Sequence, residues 1–192
     1  MVIFWNIKET ILSIIIYLVM VGTFKIVKHK DKYFFLFFTI FYVYILFVIN
    51  ETQFPIYSTD DDRKLFGHVA IGNGINIIPL KDALNMTSLY NIIMMVPFGF
   101  GLPFIKRTRF RAVLFGGLLF SFLLESGQLI TALIVGFPNR VVDVNDLIFN
   151  TFGSIIGFGI YLVFAKIVET IFKNRETGMI KYIISMKKVD IK

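Results

Sequence analysis

Residues 33–50 read YFFLFFTIFYVYILFVIN, an uncharged run built almost wholly from aromatic and branched side chains. A helix needs about 20 mostly apolar residues to cross a hydrocarbon core of roughly 30 Å, so this run reads as a membrane span. Four further stretches qualify or nearly do: 10–27, 88–105, 112–135, which carries Glu125, and 147–168. None shows the period-two alternation of a membrane barrel strand. The expected fold class is therefore all-α, a polytopic membrane helical bundle of about five transmembrane helices. It forms a single integral membrane domain over 1–192, with a loop over 51–87 and a tail over 169–192.

Composition supports the same class. The 192 residues are 56% hydrophobic and 17% charged, include 23 Phe and lack cysteine. Soluble domains are closer to 45–50% apolar and about 25% charged. Long apolar blocks without Lys/Glu-faced helices exclude a soluble enzyme, a disordered chain and a disulfide-stapled secreted scaffold. No internal repeat is visible.

Charge sets the expected orientation through the positive-inside bias. Lys25, Lys28, Lys30 and Lys32 follow the first span, and Lys106, Arg107, Arg109 and Arg111 separate the third from the fourth. Lys166, Lys173, Arg175, Lys181, Lys187, Lys188 and Lys192 follow the fifth. Five spans put all three clusters on one face, the cytoplasm, with the N-terminus outside and the C-terminus inside. The 51–87 loop, with Asp60, Asp61, Asp62 and Asp82 against Arg63, Lys64 and Lys81, then lies outside. The first span is preceded only by Lys8 beside Glu9 and followed by no small-residue cleavage pattern, so it is expected to be retained. The formal net charge of +7 falls mainly at span ends, where it meets anionic lipid, and it implies no nucleic acid partner. The segment Met179–Val189 has the apolar and lysine mix of a short interfacial segment. His68 and Asp60–Asp62 are read as solvent-facing and given no role.

Polar residues inside spans cost free energy and, where retained, point to function. Glu125 stands about 21 Å from Arg111 and about 15 Å from Val135 along its helix. Ser121, Glu125 and Gln128 form one polar stripe on a Phe- and Leu-covered span. The short connection and fifth span read FPNRVVDVNDLIFNTFGSIIG, and if helical from Asp143 they set Asp143, Asp146, Asn150 and Gly153 on one face. The short turn makes the fourth and fifth spans antiparallel neighbours, so Glu125 and Gln128 should face Asp146 and Asn150. Arg140 precedes this group and Asn91 lies near the outer end of the third span. One arginine against three acids leaves a site suited to a cation, a metal ion or an amine-bearing ligand.

Structural roles compete with that reading. Glu125 and Arg140 form a plausible neutralising pair, Asp143 and Asp146 suit the N-terminal end of a helix, and Gln128 and Asn150 suit interhelical hydrogen bonds. Gly153 and Gly157 form a G-x-x-x-G whose ordinary meaning is close helix packing, as for Gly116–Gly117. Pro97, with Gly99 and Gly101 after it, predicts a kinked or broken third span. The segment Asn76-Ile-Ile-Pro79 is placed either at the interface or folded back over the polar pocket.

The ordered set Asn76-Ile-Ile-Pro79, Asn91 to Val-Pro97-Phe-Gly99-Phe-Gly-Leu-Pro103, Ser121-Phe-Leu-Leu-Glu125-Ser-Gly-Gln128 and Arg140-Val-Val-Asp143-Val-Asn-Asp146-Leu-Ile-Phe-Asn150-Thr-Phe-Gly153 resembles the VanZ-like family of bacterial membrane proteins. The resemblance covers about residues 75–160. It implies a multi-pass bacterial plasma-membrane protein, linked in some members to low-level resistance to teicoplanin-type glycopeptide antibiotics. Those drugs act on lipid-linked cell-wall precursors outside the membrane. The family carries no settled biochemical activity.

Two functions follow as expectations. The first is a non-enzymatic protein whose outward-facing pocket binds, or modulates access to, a lipid-linked cell-envelope precursor. Asn91, Glu125, Gln128, Arg140, Asp143, Asp146 and Asn150 are its candidate binding residues, and membrane lipids, such a precursor or a glycopeptide antibiotic its candidate partners. No cofactor and no metal site are expected. The alternative is an intramembrane enzyme acting on a lipid-linked headgroup, with Glu125, Asp143 and Asp146 as catalytic candidates and Mg²⁺ held only in that case. Transport is disfavoured, because the lower third of the last two spans lacks carboxylates.

Overall fold

A computed structural model of the chain describes residues 2–59, 61, 64, 70–81, 85–172 and 178–187. Asp60, Asp62, Arg63, His68, Asp82, Lys173, Arg175, Lys188, Val189 and Lys192 lie outside the described residues. Six helices carry the described fold: α1 (Ile7–Ile26), α2 (Lys32–Gln53), α3 (Met86–Ile105), α4 (Phe110–Val135), α5 (Val144–Ile171) and the short α6 (Gly178–Lys187). The first five are long and apolar enough to cross a membrane, so the protein is an all-α multi-pass bundle. Each starts within three residues of the expected span. The largest differences at the C-terminal ends are three residues, where α2 runs on to Gln53 and α5 to Ile171.

Local chemistry fixes most starts. Asn6, Asp31, Asn85 and Asp143 sit in extended backbone at the N-caps of α1, α2, α3 and α5. Each side chain accepts a backbone N–H of the first turn, at 2.8 to 2.9 Å, which satisfies a donor the helix itself leaves unpaired. α4 ends at Gly136, whose φ of 82° is the left-handed conformation that glycine adopts without steric cost.

The turns α1–α2 and α3–α4 and the end of α5 lie at one end of the bundle, here the basic end. The connections α2–α3 and α4–α5 lie at the other. There Val2–Ile3 (β1) pairs antiparallel with Ile56–Tyr57 (β2), and Ile75–Asn76 (β3) pairs parallel with Val142–Asp143 (β4).

The closest helix pair is α3 with α5, which run parallel, ahead of the antiparallel neighbours α4 and α5. Glycine explains the choice. A Cβ on Gly153 would strike the Ile92 backbone, one on Gly157 the Val96 and Phe100 backbones, and one on Gly99 the Ser154 and Phe158 backbones. The G-x-x-x-G thus packs as expected, against α3. Gly117 lies against the Ser154 side chain, while Gly116 meets Phe98 and Leu102 at ordinary distance.

α3 is one continuous helix despite Pro97 and Pro103, which corrects the broken alternative. Pro97 still removes the N–H that would bond the Ile93 carbonyl. Beside that position the Tyr44 hydroxyl of α2 donates to the Met94 carbonyl at 2.9 Å. Toward the basic end, Phe100, Phe104, Phe158, Tyr161 and Phe164 interlock edge-on and stacked. α6 docks here with Ile183 and Ile184 buried, and Tyr182 stacks on Phe37 while its hydroxyl donates to the Phe104 carbonyl at 2.6 Å. Burial pushes the Tyr182 phenol up to about 12, so it stays protonated and keeps that donor.

Candidate functional site

Opposite the basic end, α2, α3, α4, the start of α5 and the 140–143 segment line an open-sided chamber of about 950 Å³. All seven candidate binding residues line it: Asn91, Glu125, Gln128, Arg140, Asp143, Asp146 and Asn150. Polar side chains meet there because burial in a membrane bundle leaves them only each other or a cavity.

The carboxylates are held differently from one another. Glu125, 5% exposed, accepts the Asp143 N–H on Oε2 at 3.0 Å. Asp143 is the N-cap of α5, so its backbone is extended and it does not belong to the helical face expected for it. Its Oδ1 accepts from the Asn145 N–H at 2.8 Å and from Asn76 Nδ2 at 2.9 Å. Asp146 lies in the first turn but accepts Asn91 Nδ2 of α3 on Oδ1, at 2.5 Å. The capping role therefore describes Asp143, whereas Asp146 ties α5 to α3.

About one helical turn deeper than Asp146, Asn150 donates from Nδ2 to Ser121 Oγ of α4 at 2.9 Å. Ser121 is fully buried and donates in turn to the Asp146 carbonyl at 3.4 Å. Of the α4 stripe, Ser121 and Glu125 thus face α5 as expected. Gln128 does not, since its Nε2 reaches the Thr52 carbonyl in the last turn of α2 at 3.3 Å. The extra turn of α2 puts that carbonyl within reach.

Arg140 Nη2 donates to the Phe54 carbonyl at 2.6 Å. Among the described residues it makes no ion pair with a carboxylate, so the competing reading of Glu125 and Arg140 as a neutralising pair is not what the fold uses. Nor does any group of three His, Cys, Asp or Glu among the described residues stand close enough to hold a metal ion. The 76–81 segment does not fold over the polar pocket but packs against the start of α5. Asn76 reaches Asp143, and the Asn145 side chain accepts the Leu80 N–H at 2.6 Å and donates to the Lys81 carbonyl at 2.9 Å. It braces the start of α5 from behind and contributes no residue to the chamber lining.

Several lining residues carry no sequence signal of their own. Glu51 and Thr52 read as loop until α2 is seen to continue through them, and Tyr44 is one of many aromatics in its run. Asn85 and Ser88 line the chamber from the start of α3, where Asn85 is the N-cap and accepts the Ser88 N–H.

The wall between α2 and α3 is apolar. Phe47, Tyr90 and Ile93 line it while more than half exposed. Here the chamber adjoins a second cavity of about 230 Å³, walled by Phe37, Ile40, Phe41, Phe100, Gly101 and Phe104, and the two share Tyr44 and Pro97 as lining residues. From the shared residues the groove follows α2 and α3 for about 10 Å toward the basic end, seven residues along each helix.

The model of the VanZ/LLP1 family matches residues 34–165, from the first turn of α2 into the last third of α5. That interval holds every residue of the chamber and groove and leaves out α1 and α6. No curated protein and no solved structure matches the chain.

Proposed function

The chain belongs to the VanZ-like family, and on that premise we propose that it binds, or controls access to, a lipid-linked cell-envelope precursor of the bacterial plasma membrane. One observation carries this reading: a polar chamber and an apolar groove share two walls, Tyr44 and Pro97. An amphiphile needs both environments at once. Its headgroup occupies the chamber, and the first part of its chain lies between α2 and α3, entering past Phe47, Tyr90 and Ile93. The basic clusters at the opposite end mark the cytoplasm, so the chamber faces outward. A headgroup there stands in the leaflet where glycopeptide drugs of the teicoplanin type meet lipid-linked precursors, which accommodates the resistance role implied by the family.

Within the chamber, Arg140 retains donors for a phosphate or carboxylate beyond its bond to Phe54. Gln128, Asn91 and Asn150 supply neutral hydrogen-bonding groups. The enzyme alternative keeps Glu125 as its acid or base, but one oxygen of each of the three acids already accepts a hydrogen bond that holds the fold. That arrangement favours binding over catalysis.

The test is incubation of the purified protein with purified lipid-linked precursors. Saturable binding without turnover, weakened at least tenfold in Arg140→Ala and Asp146→Asn, supports the binding protein. Conversion of the precursor that is lost in Glu125→Gln supports the enzyme instead. If neither occurs, and the variants lose only thermal stability, the polar residues serve the fold alone.

A further inference from the structure

Three acceptor oxygens on residues that line the chamber have no hydrogen-bond donor among the described residues. Glu125 uses Oε2 for the Asp143 N–H and leaves Oε1; Asp146 uses Oδ1 for Asn91 and leaves Oδ2. Asn150, 2% exposed, has Oδ1 buried and without a partner. The direction of that amide follows from its neighbour. Ser121 donates to the Asp146 carbonyl at 3.4 Å and accepts from Asn150 Nδ2 at 2.9 Å. The amide oxygen is left over. Among the described residues no lysine lines the chamber, and Arg140 is bonded to the Phe54 carbonyl.

We infer that the chamber recognises a primary ammonium group, held by the free oxygens of Glu125, Asp146 and Asn150, on a ligand whose anionic group meets Arg140. A primary ammonium carries three donors and no acceptor, which matches three acceptors that include two carboxylates. A quaternary ammonium has no N–H to give, and an acylated nitrogen has neither the charge nor three donors. The inference rests on the chamber being a headgroup site. It does not depend on which lipid brings the amine, an aminophospholipid or a lipid-linked precursor with a free amino group.

The test uses the purified wild-type protein and native mass spectrometry. The probes are phosphatidylethanolamine, its N-acetyl derivative, phosphatidylcholine, and an amine-bearing lipid-linked precursor with and without N-acetylation. At least one free amine should bind ten times or more tightly than its N-acetyl form, and phosphatidylcholine no better than the acetylated lipid. Glu125→Gln, which keeps an acceptor for the Asp143 N–H, should reduce that preference to less than threefold. Equal binding of free and acetylated forms, or no binding of either amine, overturns the inference. Precursor binding indifferent to acetylation would leave the headgroup reading standing and remove only the ammonium. Binding of the phospholipid's free amine but not of the precursor would keep the ammonium site and remove only the precursor as its ligand.

Discussion

Asn91 on α3 donates from Nδ2 to Asp146 Oδ1 on α5 at 2.5 Å, and this bond joins the two helices whose backbones approach most closely. It sits at the chamber end of a parallel pair otherwise held by glycine contacts. Interhelical hydrogen bonds in membranes contribute about 0.6 kcal/mol on average and up to about 1.7. A bond to a carboxylate belongs near the upper part of that range. A double-mutant cycle with Asn91→Ala and Asp146→Ala, read by unfolding in detergent, should give a coupling of about 1 kcal/mol. Additivity within about 0.3 kcal/mol would mean the two residues do not interact.

The α3–α5 contact predicts a sharp difference between two neighbouring glycines. Gly157→Ala drives a methyl into the Val96 backbone, whereas Gly159→Ala meets nothing within 4 Å. Overpacking against backbone costs typically 1–3 kcal/mol, so Gly157→Ala should unfold more easily by about that much. Gly159→Ala should be neutral or slightly stabilising, since alanine favours helix. Equal effects would place the interface elsewhere on α5.

Glu125 has two separable tasks. Its Oε2 satisfies the Asp143 N–H, a role glutamine can keep. Glu125→Gln should therefore melt within a few degrees of the wild type. Glu125→Ala leaves a buried donor unpaired and should cost about 1–3 kcal/mol. Thermal unfolding of the two variants side by side checks this, and equal losses would mean that the carboxylate charge itself holds the fold.

Orientation gives a prediction independent of any ligand. Ile77 is 77% exposed beside the chamber end, and Arg107 is exposed at the basic end. In intact cells an impermeant thiol reagent should label Ile77→Cys and spare Arg107→Cys until the membrane is opened. The opposite pattern would put the chamber on the cytosolic side.

Much of this arrangement was legible in the sequence, and the physics explains which part. Helix positions follow from long apolar runs, while the caps Asp31 and Asn85, which that reading did not use, set where two of the helices begin. The seven candidate residues gather on one chamber because polar groups inside spans have few other places to go. Pairings between helices were harder. The short turn before α5 correctly made α4 its neighbour, but a turn says nothing about α3, which packs closer through Gly99, Gly153 and Gly157. Gln128 escaped because its partner, the Thr52 carbonyl, is backbone and has no residue-type signature. Asp143 was misplaced by one residue of helix start, enough to turn a presumed face residue into a cap. The groove was invisible, since Phe37, Phe41, Phe100 and Phe104 look like any other aromatic in a membrane span.

The most direct measurement is the identification by mass spectrometry of lipid that stays with the protein through purification from its own membrane. A single amphiphile with a phosphate-bearing headgroup, near one per chain in the wild type and depleted in Arg140→Ala, is the predicted result. Lipid that reflects only bulk membrane composition, and that Arg140→Ala retains as well as the wild type, would contradict a headgroup held in the chamber.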